Sequence, residues 1–417
     1  MVDLPFGRGV ALALLLLGGC AQTSPPAALA PLPGQASNEQ RRHMSEAIMS
    51  GDRVALTRAA IRLARMGGGM SDHGFDSFSA QLDPATLAAD APDLSPANRV
   101  EGLRSLFHEN IESYLRLPEQ VAEVPAEYRI VEGIAYDKAT GRLFIGTVAD
   151  GRLAYLHKGA WHEVPIGFPR GGLFGMAIDP RRRLLWIATG TVEETAVRDK
   201  PLSGLIAVDL DRLTVVERIK AAGESGVPGD VTIGRDGSVY MSDGKSGAVQ
   251  ILRPGMDALR MLVPPGRFKS PQGMALSGDQ RTLYVADYST GLWTVRVRDG
   301  QVMPMQVPKP MMLDGIDGLV KIPTENALIA VQNGTSPRRV IKLDLSPGGN
   351  RIDKVTVVEI VPPTAGDPSL MTRNQWRFWF VGDGQWERYG PGGVLKDGKP
   401  PRPTPILETE DPVIVIT

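Results

Sequence analysis

The sequence predicts an all-β chain, a six-bladed β-propeller with four-stranded blades, preceded by a small α-helical segment. Three observations carry that expectation. A pair of strands joined by a turn recurs six times between residues 132 and 383, at steps of 42, 55, 43, 45 and 51 residues, about the length of one four-stranded blade. The 47 Gly and 34 Pro suit many tight turns better than a bundle of helices. All six tryptophans, from Trp161 to Trp386, fall within the repeated part, as aromatic filler between blades would.

The copies are EGIAYDKATGRLFIGT from Glu132, FGMAIDPRRRLLWIAT from Phe174, GDVTIGRDGSVYMSD from Gly229, QGMALSGDQRTLYVAD from Gln272 and DGLVKIPTENALIAVQN from Asp317, with a weaker PSLMTRNQWRFWFVGD from Pro368. Further strand-like text follows each copy, as in RLAYLHKG and AWHEVPI after the first, which brings the blade to four strands. Two separate β-sandwiches would give no reason for one period throughout. The propeller is expected over residues 128–417, and the VIVIT run of residues 413–417 is the candidate closing strand.

Upstream, residues 39–120 read as helical. Met44, Ala47 and Ile48, then Val54, Leu56, Ala59, Ile61, Leu63 and Ala64, recur at helical spacing and are broken by Ser50-Gly51-Asp52, which predicts two short helices. The glycines at 67–69 end the second. A further helix is expected from Pro96 to about Leu115, stopped by Pro118. The texture is similar to tetratricopeptide packing, but no 34-residue period exists, so a helical cap or spacer is the expectation.

The apolar run VALALLLLGGC, residues 10–20, is too short to span a bilayer, which needs about 20 helical residues, and suits a signal-peptide core. Its end, Leu17-Gly18-Gly19-Cys20, resembles the bacterial lipobox, although the preceding segment carries only Arg8 against Asp3. That resemblance implies removal of residues 1–19 and lipidation of Cys20. Ala21, where Asp would signal inner-membrane retention, implies an outer-membrane lipoprotein facing the periplasm. Residues 20–38, rich in Pro, Ala and Ser, read as a flexible tether. Cys20 is the sole cysteine, so no internal disulfide can form. With 46 basic and 47 acidic side chains the net charge is −1, which argues against a nucleic-acid partner or a membrane surface held by a basic face.

In a propeller the first strand of each blade lines the central channel, so equivalent residues of different blades converge on the axis. The six aligned positions hold Glu132, Phe174, Gly229, Gln272, Asp317 and Pro368, with Asp230 and Asp367 one residue away. Oxygen donors without imidazole or thiolate suit a hard divalent cation. The five histidines, at 43, 73, 108, 157 and 162, all miss these positions, which disfavours a histidine base or a zinc site rich in histidine. The alternative is that Glu132 and Asp317 only cap turns at the channel mouth.

These residues resemble the gluconolactonase/regucalcin (senescence marker protein) family of six-bladed propellers over roughly residues 128–390. By that resemblance Glu132 in VEGIAYD, Gln272 in PQGMAL and Asp317 in IDGLV would hold one divalent cation. Calcium is the first choice, with Mg²⁺, Mn²⁺ or Zn²⁺ as others. Asp230 in GDVTIG would face substrate near Phe174. The implied reaction is hydrolysis of a lactone or related ester, with Asp317 or Asp230 taking a proton from the attacking water. The chain departs from the family where Gln272 replaces an Asn, Gly229 an Asn and Val227 a substrate-binding Arg. Two further readings stand beside the hydrolase. One is a non-catalytic, lipid-anchored propeller binding an envelope protein or glycan. The other is a metal-free propeller similar to strictosidine synthase, holding an apolar ligand near Phe174.

Three other features read as structural. Arg181-Arg182-Arg183 falls in a hairpin turn and is expected to be a solvated face. The methionines of VMPMQVPKPMM, residues 302–312, read as loop packing rather than a soft-metal site. Asp243, Asp287 and Asp383 end second strands and are expected to cap turns.

Overall fold

A computed structural model describes residue 27 and residues 36–112, 118–168, 170–196, 201–223, 226–361, 365–396 and 398–410. The signal peptide, Cys20, most of the tether and residues 413–417 lie outside the described residues. Six four-stranded antiparallel sheets form the blades of a β-propeller. Their inner strands are Val131–Asp137, Gly172–Asp179, Pro228–Ile233, Pro271–Leu276, Ile316–Ile322 and Met371–Asn374.

Each blade buries apolar side chains against the next, so the core lies between sheets. Tyr240, Val249 and Ile251 of the third blade pack with Met274, Leu283 and Val285 of the fourth. Trp186 and Trp293 are buried in this filler, but Trp376 is exposed and Trp386 faces the channel, so the tryptophans do not share one role. Met305 and Met311 join the core beside the fifth blade, as loop packing requires.

The ring closes between chain ends. Strand Glu119–Val124 pairs with Thr404–Glu410 and becomes the outer strand of the sixth blade. The propeller therefore begins at Glu119 rather than 128, inside the stretch read as helical. That strand has no repeat partner in sequence to mark it.

Among the described residues five helices precede it: α1 (Ser37–Ser50), α2 (Arg53–Arg65), α3 (Asp72–Ser79), α4 (Pro84–Asp90) and α5 (Arg99–Glu112). The short α3 and α4 escaped the periodicity reading because two turns leave too little pattern; Ser71 and Asp83 cap them. Leu56, Leu63, Phe75, Leu87, Leu103 and Phe107 form one core that also takes Met312 from the propeller.

The helical segment docks on the propeller. The Asp314 carboxylate accepts from Ser37 Oγ at 3.0 Å and from the Asn38 amide at 2.9 Å, capping α1 across more than 270 residues of chain. The amide of Gly69 donates to the Ser336 carbonyl at 2.7 Å. These loops border the mouth onto which the N-terminal ends of the inner strands open, here the upper mouth. Among the described residues no helix is long and apolar enough to cross a membrane.

The arginine triplet is not simply solvated. Arg183 makes a bidentate pair with Asp137 at 2.8 Å and reaches Asp211, while Arg181 and Arg182 bond carbonyls of residues 235–237, tying the turns of three blades together. Asp243 and Asp287 do cap turns: each accepts from the amides of its own turn and from the segment entering its inner strand.

Candidate active site at the upper channel mouth

One local irregularity builds the site. In the first five blades the ladder between inner and second strand breaks register at Glu132, at Phe174-Gly175, at Gly229-Asp230, at Gln272-Gly273 and at Asp317-Gly318. These bulges free the residues picked out by the repeat from sheet pairing and re-aim them at the axis. The glycine that follows has a second task. A Cβ on Gly133 would lie 2.2 Å from the Phe174 carbonyl oxygen, and one on Gly273 would lie 2.4 Å from the Asp317 carbonyl oxygen. Only glycine lets neighbouring inner strands approach so closely.

The result is a cavity of about 320 Å³ into which Glu132, Phe174, Gln272 and Asp317 all project. Asp367 and Tyr288 add polar wall; Phe174, Val192, Val227 and Trp386 add apolar wall. Glu132 and Asp317 are 7% and 9% exposed. Trp386 Nε1 donates to Glu132 Oε2 at 2.9 Å. Asn333 Nδ2 donates to Asp317 Oδ2 at 3.0 Å and to the Pro368 carbonyl at 2.7 Å.

Burial raises the pKa of Glu132 well above the usual carboxylate range, with the Asp317 charge adding to it and the Trp386 bond opposing. Burial likewise lifts Asp317 to about 7, against the Asn333 bond and with help from Asp367. Two buried carboxyls that feel one another resist carrying both charges unless a cation offsets them. Tyr288, whose phenol burial and the Asp317 charge hold protonated, faces the same space.

The other sequence candidates are engaged differently. Gln272 Nε2 donates to Ser270 Oγ at 3.1 Å, and its Oε1 sits 3.1 Å from where a Gly229 Cβ would stand. The Gln for Asn and Gly for Asn departures are therefore one exchange, the longer amide filling the room the glycine leaves. Asp230 lines a different cavity, nearer the opposite mouth. Its Oδ2 accepts from the Met274 amide at 3.1 Å, and burial lifts it to about 7 although the cavity wall leaves part of it accessible.

Trp386 and Asn333 were not singled out from sequence. Trp386 rides on a short 3-10 turn inserted between the second and third strands of the sixth blade, and nothing periodic marks it. Asn333 had a signal. Gly244, Tyr288 and Asn333 each directly follow a second strand, Val239–Asp243, Thr282–Asp287 and Ala327–Gln332, and form an additional ring around the cavity.

The donors present fit a hard divalent cation. The Asn333 bond uses one oxygen of Asp317 and leaves the other outside it, and Asn333 Oδ1 is buried without a partner among the described residues. The fit uses two carboxylates and a carboxamide, since among the described residues no three His, Cys, Asp or Glu side chains gather as a metal centre.

The sign of the pH dependence follows from the raised carboxylates. The native state binds protons more tightly than the unfolded chain, so the stability these groups contribute is complete below about pH 4 and is lost as pH climbs through about 7. Metal-free protein should show a Tm that falls between pH 5 and 8, and Asp317→Asn should flatten that fall. Calorimetry with a chelator present checks this; a Tm indifferent to pH in both proteins would contradict the buried-pair description.

No protein-family model matches the chain, and no curated protein matches it by sequence. Solved structures do resemble it. They include a virginiamycin B lyase from Staphylococcus aureus, 14% identical over 70% of this chain and 98% of that one, with a TM-score of 0.48. A regucalcin from Agrobacterium tumefaciens, described as a calcium-binding protein, is 15% identical over 70% and 95%, at 0.47. A gluconolactonase from Xanthomonas campestris is 17% identical over 71% and 96%, at 0.46.

Proposed function

We propose that the chain is a divalent-metal-dependent hydrolase of lactones or related esters, working at the upper mouth of the propeller. The observation that supports this reading best is the buried Glu132–Asp317 pair, sharing a cavity with the unpartnered Asn333 Oδ1. Glu132, Asp317 and Asn333 would hold the cation; Gln272, engaged by Ser270, is the weaker candidate. When bound, such an ion polarises an ester carbonyl and stabilises the oxyanion that develops on it. Trp386 fixes the rotamer of Glu132, and Asn333 fixes that of Asp317. Asp317, whose second oxygen lies outside the Asn333 bond, is also suited to accept the proton of the attacking water. Phe174, Val192 and Val227 shelter the reacting ester from bulk water. The volume of about 320 Å³ suits a small ring, not a polymer.

Asp230 is better placed as a tie between inner strands than as a second base. The alternative reading, a non-catalytic propeller binding an envelope protein or glycan, draws its support from that position and from Gln272 being occupied elsewhere. Bound-metal analysis and a lactone panel run with Ca²⁺, Mg²⁺, Mn²⁺ and Zn²⁺ decide between them: about one ion per chain with hydrolysis supports the enzyme, and neither supports the binder.

Asn333→Leu is expected to weaken cation binding by roughly 10- to 100-fold, the range for groups that ligate or orient ligands, whereas Asn333→Asp should retain it. A calcium titration followed by calorimetry measures this, and equal affinity in wild type and Asn333→Leu would remove Asn333 from the set. The same proposal places the protein on the outer membrane through lipidated Cys20. Mass spectrometry of the N-terminal peptide should show a diacylglyceryl group that Cys20→Ser lacks.

A further inference from the structure

The opposite, lower mouth of the channel has the reverse electrostatic character. A cavity of about 450 Å³ opens there, where the inner strands run out into turns, and Arg235, Lys321 and Arg373 enter it from the third, fifth and sixth blades. None of the three forms an ion pair among the described residues. Arg373 donates only to the Gln375 carbonyl at 3.4 Å, a long contact. Lys321 donates to the carbonyls of Ile322 and Glu325. The Arg235 guanidinium makes no hydrogen bond among the described residues.

Their neighbours differ. Arg183 on the same face is saturated by Asp137 and Asp211, and Arg182 by Asp179 and two carbonyls. Burial lowers the pKa of both Lys321 and Arg373, the mark of a cation that has lost water without gaining a full counter-charge. Asp230 is the one carboxylate in the wall, and its Oδ2 is already bonded to the Met274 amide. Thr232, Thr372 and Tyr136 supply hydroxyls to the same space. Beyond the rim a second cleft holds Arg253 and Arg281 and shares Gln280 with the first, extending the positive field outward.

We infer that the lower mouth is a binding site for a small oxyanion of at least two negative charges, a phosphate or a polycarboxylate, held by Arg235, Lys321 and Arg373. Guanidinium groups pair with such oxygens bidentately, and three cations from three blades enclose a ligand that no single blade could hold. The site is independent of the acidic cavity above and of any hydrolysis there.

The test is calorimetric titration of the full-length protein with inorganic phosphate and, separately, with citrate, at low ionic strength and with chloride as control. Saturable one-to-one binding of either probe is expected, weakened about tenfold by Arg235→Gln and again by Arg373→Gln, and unchanged by Glu132→Gln. Phosphate alone binding assigns the site to phosphorylated ligands, and citrate alone to carboxylates. Arg235 is exposed, so its variant should fold as wild type does, which the Tm verifies. Absence of saturable binding by both probes overturns the inference, as does equal binding by wild type and the Arg235→Gln, Arg373→Gln double variant.

Discussion

Glu132→Gln is expected to release the bound cation and to reduce lactone hydrolysis by at least about 10²-fold, comparable to losing a principal electrostatic group from an active site. The substitution is nearly isosteric and its amide can still meet Trp386 Nε1 through its oxygen, so the cavity keeps its shape and only the charge disappears. The variant also removes the buried group at 132 that resists ionising, so the metal-free variant should be no less stable than wild type near pH 8. Three readouts thus separate a ligand from a turn cap: metal content, rate and Tm. If metal content stays at the wild-type level in both Glu132→Gln and Asp317→Asn, the site assignment fails, whatever the rate does.

The largest structural effect is expected from Gly273→Ala. One methyl group placed there meets the Asp317 carbonyl oxygen at 2.4 Å, the Leu319 amide nitrogen at 2.7 Å and Leu319 Cβ at 2.9 Å. Two of the three contacts are backbone, which cannot swing aside as a flexible side chain could. Separating the fourth and fifth inner strands should cost about 1–3 kcal/mol or more, as overpacking in a close-packed interior does. The same displacement moves Asp317, so cation affinity should fall with stability. Wild-type Tm and affinity in this variant would show that the blades do not depend on so close an approach.

The blades were legible because a propeller repeats one structural problem six times, and one answer, a polar or bulky residue before glycine at the head of an inner strand, recurs in four of the six copies. The meeting of Glu132 and Asp317, 185 positions apart, followed from that alignment. Asn333 closes one copy of the repeat, in the ring just past the second strand, which an alignment on the heads of the inner strands does not reach. Trp386 could not be reached that way, since its turn occurs once.

What the sequence by itself determined is therefore whatever periodicity encodes: blade number, the glycine heads of the inner strands, the helical character of residues 39–66 and the oxygen-rich donor set. Tertiary structure alone decided which way each freed side chain turns. A bulge sends Asp317 into the upper cavity and leaves Asp230 tied to the Met274 amide beside the lower one, although the two stand in almost the same place in their copies. It also decided the closing strand at Glu119 and the docking of α1 on Asp314. The physical reason is common to all three: direction and closure are settled by contacts between different blades or opposite chain ends, from 44 to nearly 290 residues apart, while a repeat records only the local spacing within each blade.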